Sequence, residues 1–157
     1  MKIMKESVTA LLVHSAEKPL ATLKGVLERL MVKTTRVQTC AEALEILELG
    51  TAPHLVFTDT VISDGTWERV LALAGHAAQY ANVIVVSGTA DIRLYIDTVE
   101  RGAWDFIAPP FAELEVAHMV RCAMENVHKR RAALAQLHAR MESTDQARST
   151  VWTGWGL

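Results

Sequence analysis

The residues best placed for chemistry follow short apolar runs in the sequence. Asp59 comes directly after 55–58, and Ser87 follows the apolar run 83–86. Short continuous apolar runs are typical of buried parallel strands. In open α/β sheets, ligands bind beyond the carboxyl ends of such strands. The sequence therefore predicts that Asp59 is a carboxylate in a functional pocket, and that Ser87 supplies a small hydroxyl from another strand end.

Strand and helix patterns alternate along the chain and would position these residues. Apolar runs predict five strands, at 8–13, 34–39, 55–58, 83–86 and 104–107. Helical spacing of apolar residues predicts five helices, at 20–30, 43–50, 67–75, 92–101 and from 112 onwards. Five strand–helix units in succession indicate an α/β fold with a doubly wound, five-stranded parallel sheet. This is a flavodoxin-like arrangement, here with an extended C-terminal helix.

Composition narrows the class of protein. The chain has 157 residues, half of them hydrophobic, and a net charge of −2, which gives no strongly basic face for nucleic acid. Its two cysteines do not make a disulfide framework. No segment resembles a signal peptide or a membrane helix. We therefore expect a cytoplasmic protein that binds neither nucleic acid nor membrane.

The motifs at the strand ends resemble those of a known family. Asp59, the segment 85–88 and the segment Gly102–Phe111, with its Gly-Ala-x-Asp-Phe start, together resemble the receiver domains of two-component response regulators, of the nitrogen-regulator and nitrogen-fixation type. The resemblance covers residues 7–128. It implies a receiver domain at 7–128, followed by a helical extension and flexible tail at 129–157.

The resemblance implies a role for several residues. Asp59 would be the phosphoacceptor, Ser87 the switch hydroxyl and Phe106 the aromatic at the switch position. The family holds Mg²⁺ with an acidic pair after the first strand and pairs the phosphoryl group with a lysine after the fifth. By spacing, the acidic pair falls on Ser15 and Ala16 and the lysine falls on Pro109.

These departures predict weak metal and phosphoryl chemistry. Asp59 would be a metal ligand almost alone, helped at most by Glu17, which follows the pair, so Mg²⁺ binding should be weak. The sequence thus favours a single-domain atypical receiver that binds signalling proteins, such as a histidine kinase or a downstream regulator, and is not an enzyme beyond slow Mg²⁺-dependent self-phosphorylation. The alternative is a response regulator that a histidine kinase phosphorylates at Asp59.

Other functions fit the sequence less well. A flavodoxin-like cofactor binder should carry a glycine-rich loop after the first strand, but 15–18 contains no glycine. No helix-turn-helix fits the roughly 30 residues after the receiver. None of the six histidines has metal-ligand spacing, apart from His14, which lies close to the end of the first strand, and we interpret all six as surface or satisfied residues.

Assembly and one backbone feature can also be predicted. Val127, Leu134 and Met141 are spaced by seven on a helix longer than a receiver needs, which favours a homodimer through the fourth helix, fifth strand, last helix and its extension. The alternative is an amphipathic helix that packs on its own domain. Residues 143–150 are polar and should be flexible, and the tail carries Trp152 and Trp155. The resemblance also implies a cis Pro109–Pro110 bond.

Overall fold

The alternating pattern of strands and helices is present in the structure, a computed structural model that describes the backbone of residues 7–154 and the side chains of residues 7–148. The strands are β1 Thr9–Val13, β2 Lys33–Val37, β3 Leu55–Asp59, β4 Val61–Ile62, β5 Gly65–Thr66, β6 Asn82–Val86 and β7 Asp105–Ile107. The helices are α1 Leu20–Arg29, α2 Cys40–Leu47, α3 Trp67–Ala74, α4 Ile92–Glu100 and α5 Glu113–Gly154.

Five of the strands form one parallel sheet in the order β2-β1-β3-β6-β7. This order confirms the predicted flavodoxin-like, doubly wound architecture. The order changes direction between β1 and β3, and ligands in open α/β sheets bind at such a switch point. The carboxyl ends of β1 and β3 are therefore the place where a functional pocket is expected.

Apolar side chains cover both faces of the sheet. On one face, Leu12, Phe57 and Ile84 pack with the buried sides of α1 and the first part of α5. On the other face, Leu11 and Val56 pack with α2 and α3. Successive side chains of a strand point to opposite faces of the sheet. The faces of the strand residues therefore determine the face on which the side chain directly after each strand lies.

The loop after Asp59 is more ordered than the sequence suggested. It contains a small antiparallel hairpin of β4 and β5 that the sequence did not predict. The Asp64 carboxylate accepts hydrogen bonds from the backbone N–H of Cys40, at 2.7 Å, and of Ala41, at 3.2 Å. These bonds, above all the one from Cys40, lower the pKa of Asp64. The loop is thereby tied to the N-terminus of α2.

The last helix extends further than predicted. Residues 143–150 were expected to be flexible, but α5 runs without interruption from Glu113 to Gly154. The stretch can continue the helix because it contains no proline and reaches its first glycine only at Gly154. Ala, Arg, Gln and Glu are good helix formers even on a solvated helix.

The chain divides into two units, one ending at Val127 and the other beginning at His128. Trp152 and Trp155 of the tail lie outside the residues whose side chains are described. Within the described part of the chain, no helix is long and apolar enough to cross a membrane.

Candidate functional site

Asp59 lies at the carboxyl end of β3, between β1 and β6. Its side chain is only 9% exposed. One carboxylate oxygen, Oδ1, accepts a hydrogen bond from the backbone N–H of Thr60 at 2.7 Å. In the part of the chain whose side chains are described, no lysine, arginine or histidine forms an ion pair with this carboxylate. Asp59 is thus a nearly buried carboxylate without a cationic partner.

His14 lies beside Asp59 on the neighbouring strand. Val13 is aligned with Thr58 in the β1–β3 pairing, and the backbone N–H of His14 continues the pairing of β1 with β2 by donating to the Val37 carbonyl at 3.1 Å. His14 follows Val13 and Asp59 follows Thr58, so His14 and Asp59 are neighbours at the ends of these adjacent strands. Alternation places both on the face that carries Leu12 and Phe57.

His14 is only 2% exposed, so it is not a surface histidine. Its Nδ1 lies 2.6 Å from the Ala16 carbonyl oxygen, which can only accept, so Nδ1 carries the hydrogen. Nε2 is buried and has no hydrogen-bond partner among the described residues. Burial, with smaller contributions from the charges of Arg36 and Lys24, lowers the pKa of His14, although the hydrogen bond to Ala16 and the nearby charge of Asp59 act in the opposite direction. The neutral ring therefore keeps an unused lone pair on Nε2.

Ser15 and Glu17 are not arranged as ligands of an ion at Asp59. The Ser15 hydroxyl donates to the Gln38 carbonyl at 2.7 Å and accepts from the backbone N–H of Ser63 at 2.8 Å. It therefore links the ends of β1 and β2 to the loop after β3. Glu17 is exposed to solvent. The residue that shares the edge of the sheet with Asp59 is His14, which spacing along the chain did not identify.

Of the other predicted site residues, Ser87 follows β6 and Phe106 lies within β7. Ser87 is buried, and its hydroxyl accepts from the backbone N–H of Thr89 at 3.3 Å. Phe106 is half-buried and makes an edge-to-face contact with Tyr95 of α4, with ring centroids 6.0 Å apart. Pro109 is exposed, and its bond to Pro110 is cis, as predicted.

The donors at this edge of the sheet do not fit Mg²⁺. Mg²⁺ takes oxygen ligands in near-octahedral geometry. Among the described residues that directly end or follow β1 and β3, Asp59 is the only carboxylate, and its neighbour after β1, His14, offers nitrogen. Among the described side chains, no group of three or more His, Cys, Asp or Glu residues could hold a metal ion. Strong Mg²⁺ binding would need a second carboxylate.

No family model matches the chain, and no curated protein does. Solved structures do. The signal receiver domain of an HD domain-containing protein from Pseudomonas fluorescens Pf-5 is 22% identical with a TM-score of 0.66, and covers 79% of this chain and 99% of its own. The receiver domain of a signal transduction histidine kinase from Syntrophus aciditrophicus is 24% identical, with a TM-score of 0.63, 77% coverage of this chain and 92% of its own.

A third solved structure covers a larger share of this chain. A fusion protein carrying the trimeric coiled coil of yeast Spc42 is 13% identical with a TM-score of 0.69, and covers 96% of this chain and 97% of its own. At these identities the matches establish architecture. The sheet order, the Asp59 strand end and the matched structures together show that this chain has the fold of the response regulator receiver domain.

Proposed function

We propose that this chain is an atypical receiver in signal transduction that binds a partner protein without relying on phosphorylation of Asp59. The observation that carries the proposal is the surroundings of Asp59, where a buried imidazole lies in place of a second carboxylate. Phosphoryl transfer depends on positioning and on neutralising the charge of the transferred group. Here, Pro109 stands where the resemblance expects a lysine, and a proline supplies neither a cation nor an N–H.

A binding role is supported by an apolar surface on the same unit. Ile92, Tyr95, Ile96 and Val99 form one exposed stripe of α4, and Ile92 is 75% exposed. Next to β7, a groove of about 620 Å³ is lined by residues that include Phe106, Phe111, Met119 and Cys122. Exposed apolar patches often mark protein interaction sites. The partner we propose is a histidine kinase or a downstream regulator, and the chain itself turns over no substrate.

The proposed function predicts that Asp59 stays unmodified. Incubation with acetyl phosphate and Mg²⁺ should leave the intact mass unchanged, because the pocket lacks the charges that stabilise a transferred phosphoryl group. A receiver with a complete acidic pair and lysine, treated in parallel, shows that the donor is active. A mass increase of one phosphoryl group that disappears in Asp59→Asn would instead support the phosphorylatable response regulator.

We also propose that the chain self-associates without phosphorylation, through the face of α4, β7 and α5 together with the extension of α5. Val127, the first residue of the predicted seven-residue spacing, is instead buried in the core of the first unit and cannot contact a second copy. Leu134, Leu137 and Met141 recur at helical spacing and are exposed, with Met141 at 56%. Apolar residues at this spacing are typical of a helix that pairs with another helix. A second copy of the chain would cover them.

Sedimentation velocity tests self-association. The parent chain should sediment as a dimer at micromolar concentration, and Leu134→Glu with Leu137→Glu should sediment as a monomer because charge replaces the apolar stripe. Gln136→Glu adds charge to the same helix outside the stripe and should leave the dimer intact. A truncation after His128 should also be monomeric. If the parent is monomeric at high micromolar concentration, the extension is not an assembly element.

A further inference from the structure

We propose that His14 and Asp59 together bind a divalent transition-metal ion of the Zn²⁺ and Co²⁺ class, at the edge of the sheet where the resemblance implies Mg²⁺. The ion would be held by the Nε2 nitrogen of His14 and the carboxylate of Asp59, with water in its remaining positions. This inference stands apart from the proposed partner binding. It follows from the mismatch between the residues present and the ligands that Mg²⁺ requires.

The first support is the placement of the two side chains. The β1–β3 register makes His14 and Asp59 neighbours on adjacent strands and on the same face of the sheet. Adjacent strands lie about 4.8 Å apart, so two side chains in this relation can reach one ion. Both are nearly buried, at 2% and 9% exposure, so their positions are restricted by packing and backbone pairing.

The second support is the hydrogen bonding of the imidazole. Histidines that bind metals usually donate their other ring N–H to a carbonyl or carboxylate, which fixes the tautomer and the orientation of the ring. His14 has this arrangement, because Nδ1 donates to the Ala16 carbonyl at 2.6 Å. The nitrogen left over, Nε2, carries a lone pair and has no partner among the described residues. Most buried polar side-chain atoms have a partner, so this lone pair is available to a ligand.

The donor set determines which ion fits. Imidazole nitrogen suits Zn²⁺, Cu²⁺, Ni²⁺ and related ions, whereas Mg²⁺ prefers oxygen. One nitrogen and one carboxylate therefore favour a borderline transition metal over Mg²⁺. Two protein ligands leave positions open to water, so the affinity should fall below that of closed structural zinc sites, which have four protein ligands.

A competing pair of metal donors must be removed before the test. His118 and Cys122 lie one turn apart on α5, with Nε2 and Sγ 3.7 Å from each other. An exposed histidine and a half-buried thiol in this relation could take up the same ions. The experiment therefore uses the full-length chain, without a polyhistidine tag, in a Cys122→Ser background, and follows Co²⁺ binding by visible absorbance.

His14→Gln and Asp59→Asn should each weaken Co²⁺ binding by roughly tenfold or more, since removing an outer partner of a ligand alone costs 10–100-fold. His118→Gln should leave the affinity unchanged, and excess Mg²⁺ should not displace Co²⁺. Because His14→Gln could disturb the fold, the parent chain is also examined by nuclear magnetic resonance. Co²⁺ should broaden the signals of 13–15 and 58–60 before those of 115–122.

Three results would each overturn the proposal. The first is an unchanged Co²⁺ affinity in a folded His14→Gln variant, and the second is broadening confined to 115–122. The third is a crystal structure, grown with Zn²⁺, in which a water molecule or the Asp59 carboxyl group itself satisfies Nε2 of His14 and no metal is bound there. Such a water would explain the unused lone pair as an ordinary buried hydration site.

Discussion

Replacing Phe57 with alanine is expected to lower the free energy of unfolding by about 3–5 kcal/mol. Phe57 lies in the middle of β3 and is completely buried. Its ring packs with apolar residues of β1, β6, α1 and α5 on the face of the sheet that carries Asp59. Alanine would leave a cavity between the sheet and two helices that have little freedom to close it. A loss of this size is a large part of the 5–15 kcal/mol typical of a folded protein.

Urea denaturation followed by circular dichroism measures this loss. Leu49→Ala is the matched control, because Leu49 is an exposed apolar residue and its removal should change the free energy by at most about 0.5 kcal/mol. The slope of the unfolding free energy against urea concentration should be similar in both variants, so that a shift in the midpoint reports a change in stability. A loss below about 1 kcal/mol for Phe57→Ala would contradict the packing of β3 against α1 and α5.

The fold could be predicted because the signals that define it are local. The apolar runs of β3 and β6 are buried on both faces, and short apolar runs of this kind identify central parallel strands without knowledge of their neighbours. The edge strand β2 was harder, and its predicted range of 34–39 is shifted from the observed Lys33–Val37. Thr39 instead caps α2, accepting from the backbone N–H of Glu42 at 3.0 Å.

The candidate site could be predicted only in part. Asp59 was identifiable because it ends an apolar strand. His14 was noted only for its position close to the end of the first strand and was not assigned to the site, because spacing along the chain suggested Ser15 and Ala16 as the acidic pair. Which residue of β1 lies beside Asp59 depends on the register between two strands, and this is fixed by tertiary packing. The burial of the His14 ring has no local signal at all.

Restoring carboxylates beside Asp59 should create Mg²⁺ binding, and the position that works best should follow the register. His14→Asp combined with Ser15→Asp should raise Mg²⁺ affinity by roughly tenfold or more over the parent, because it supplies hard oxygen donors next to Asp59. Ser15→Asp combined with Ala16→Asp is the matched comparison. This second variant should gain less Mg²⁺ affinity, because Ala16 is exposed and lies one residue further from the end of β1 than Ser15 does.

Isothermal titration measures the affinities, and thermal unfolding provides an independent readout. Clustered carboxylates repel one another, so the first double variant should unfold at a lower temperature than the parent without Mg²⁺. Mg²⁺ at about a hundredfold excess over its Kd should then stabilise it by about 2.7 kcal/mol. Adding Pro109→Lys to this variant tests whether a cation in the loop after β7 also allows phosphoryl transfer from acetyl phosphate to Asp59. If the variant at Ser15 and Ala16 binds Mg²⁺ more tightly, spacing along the chain locates the pocket better than the register does, and His14 is not the neighbour that matters to Asp59.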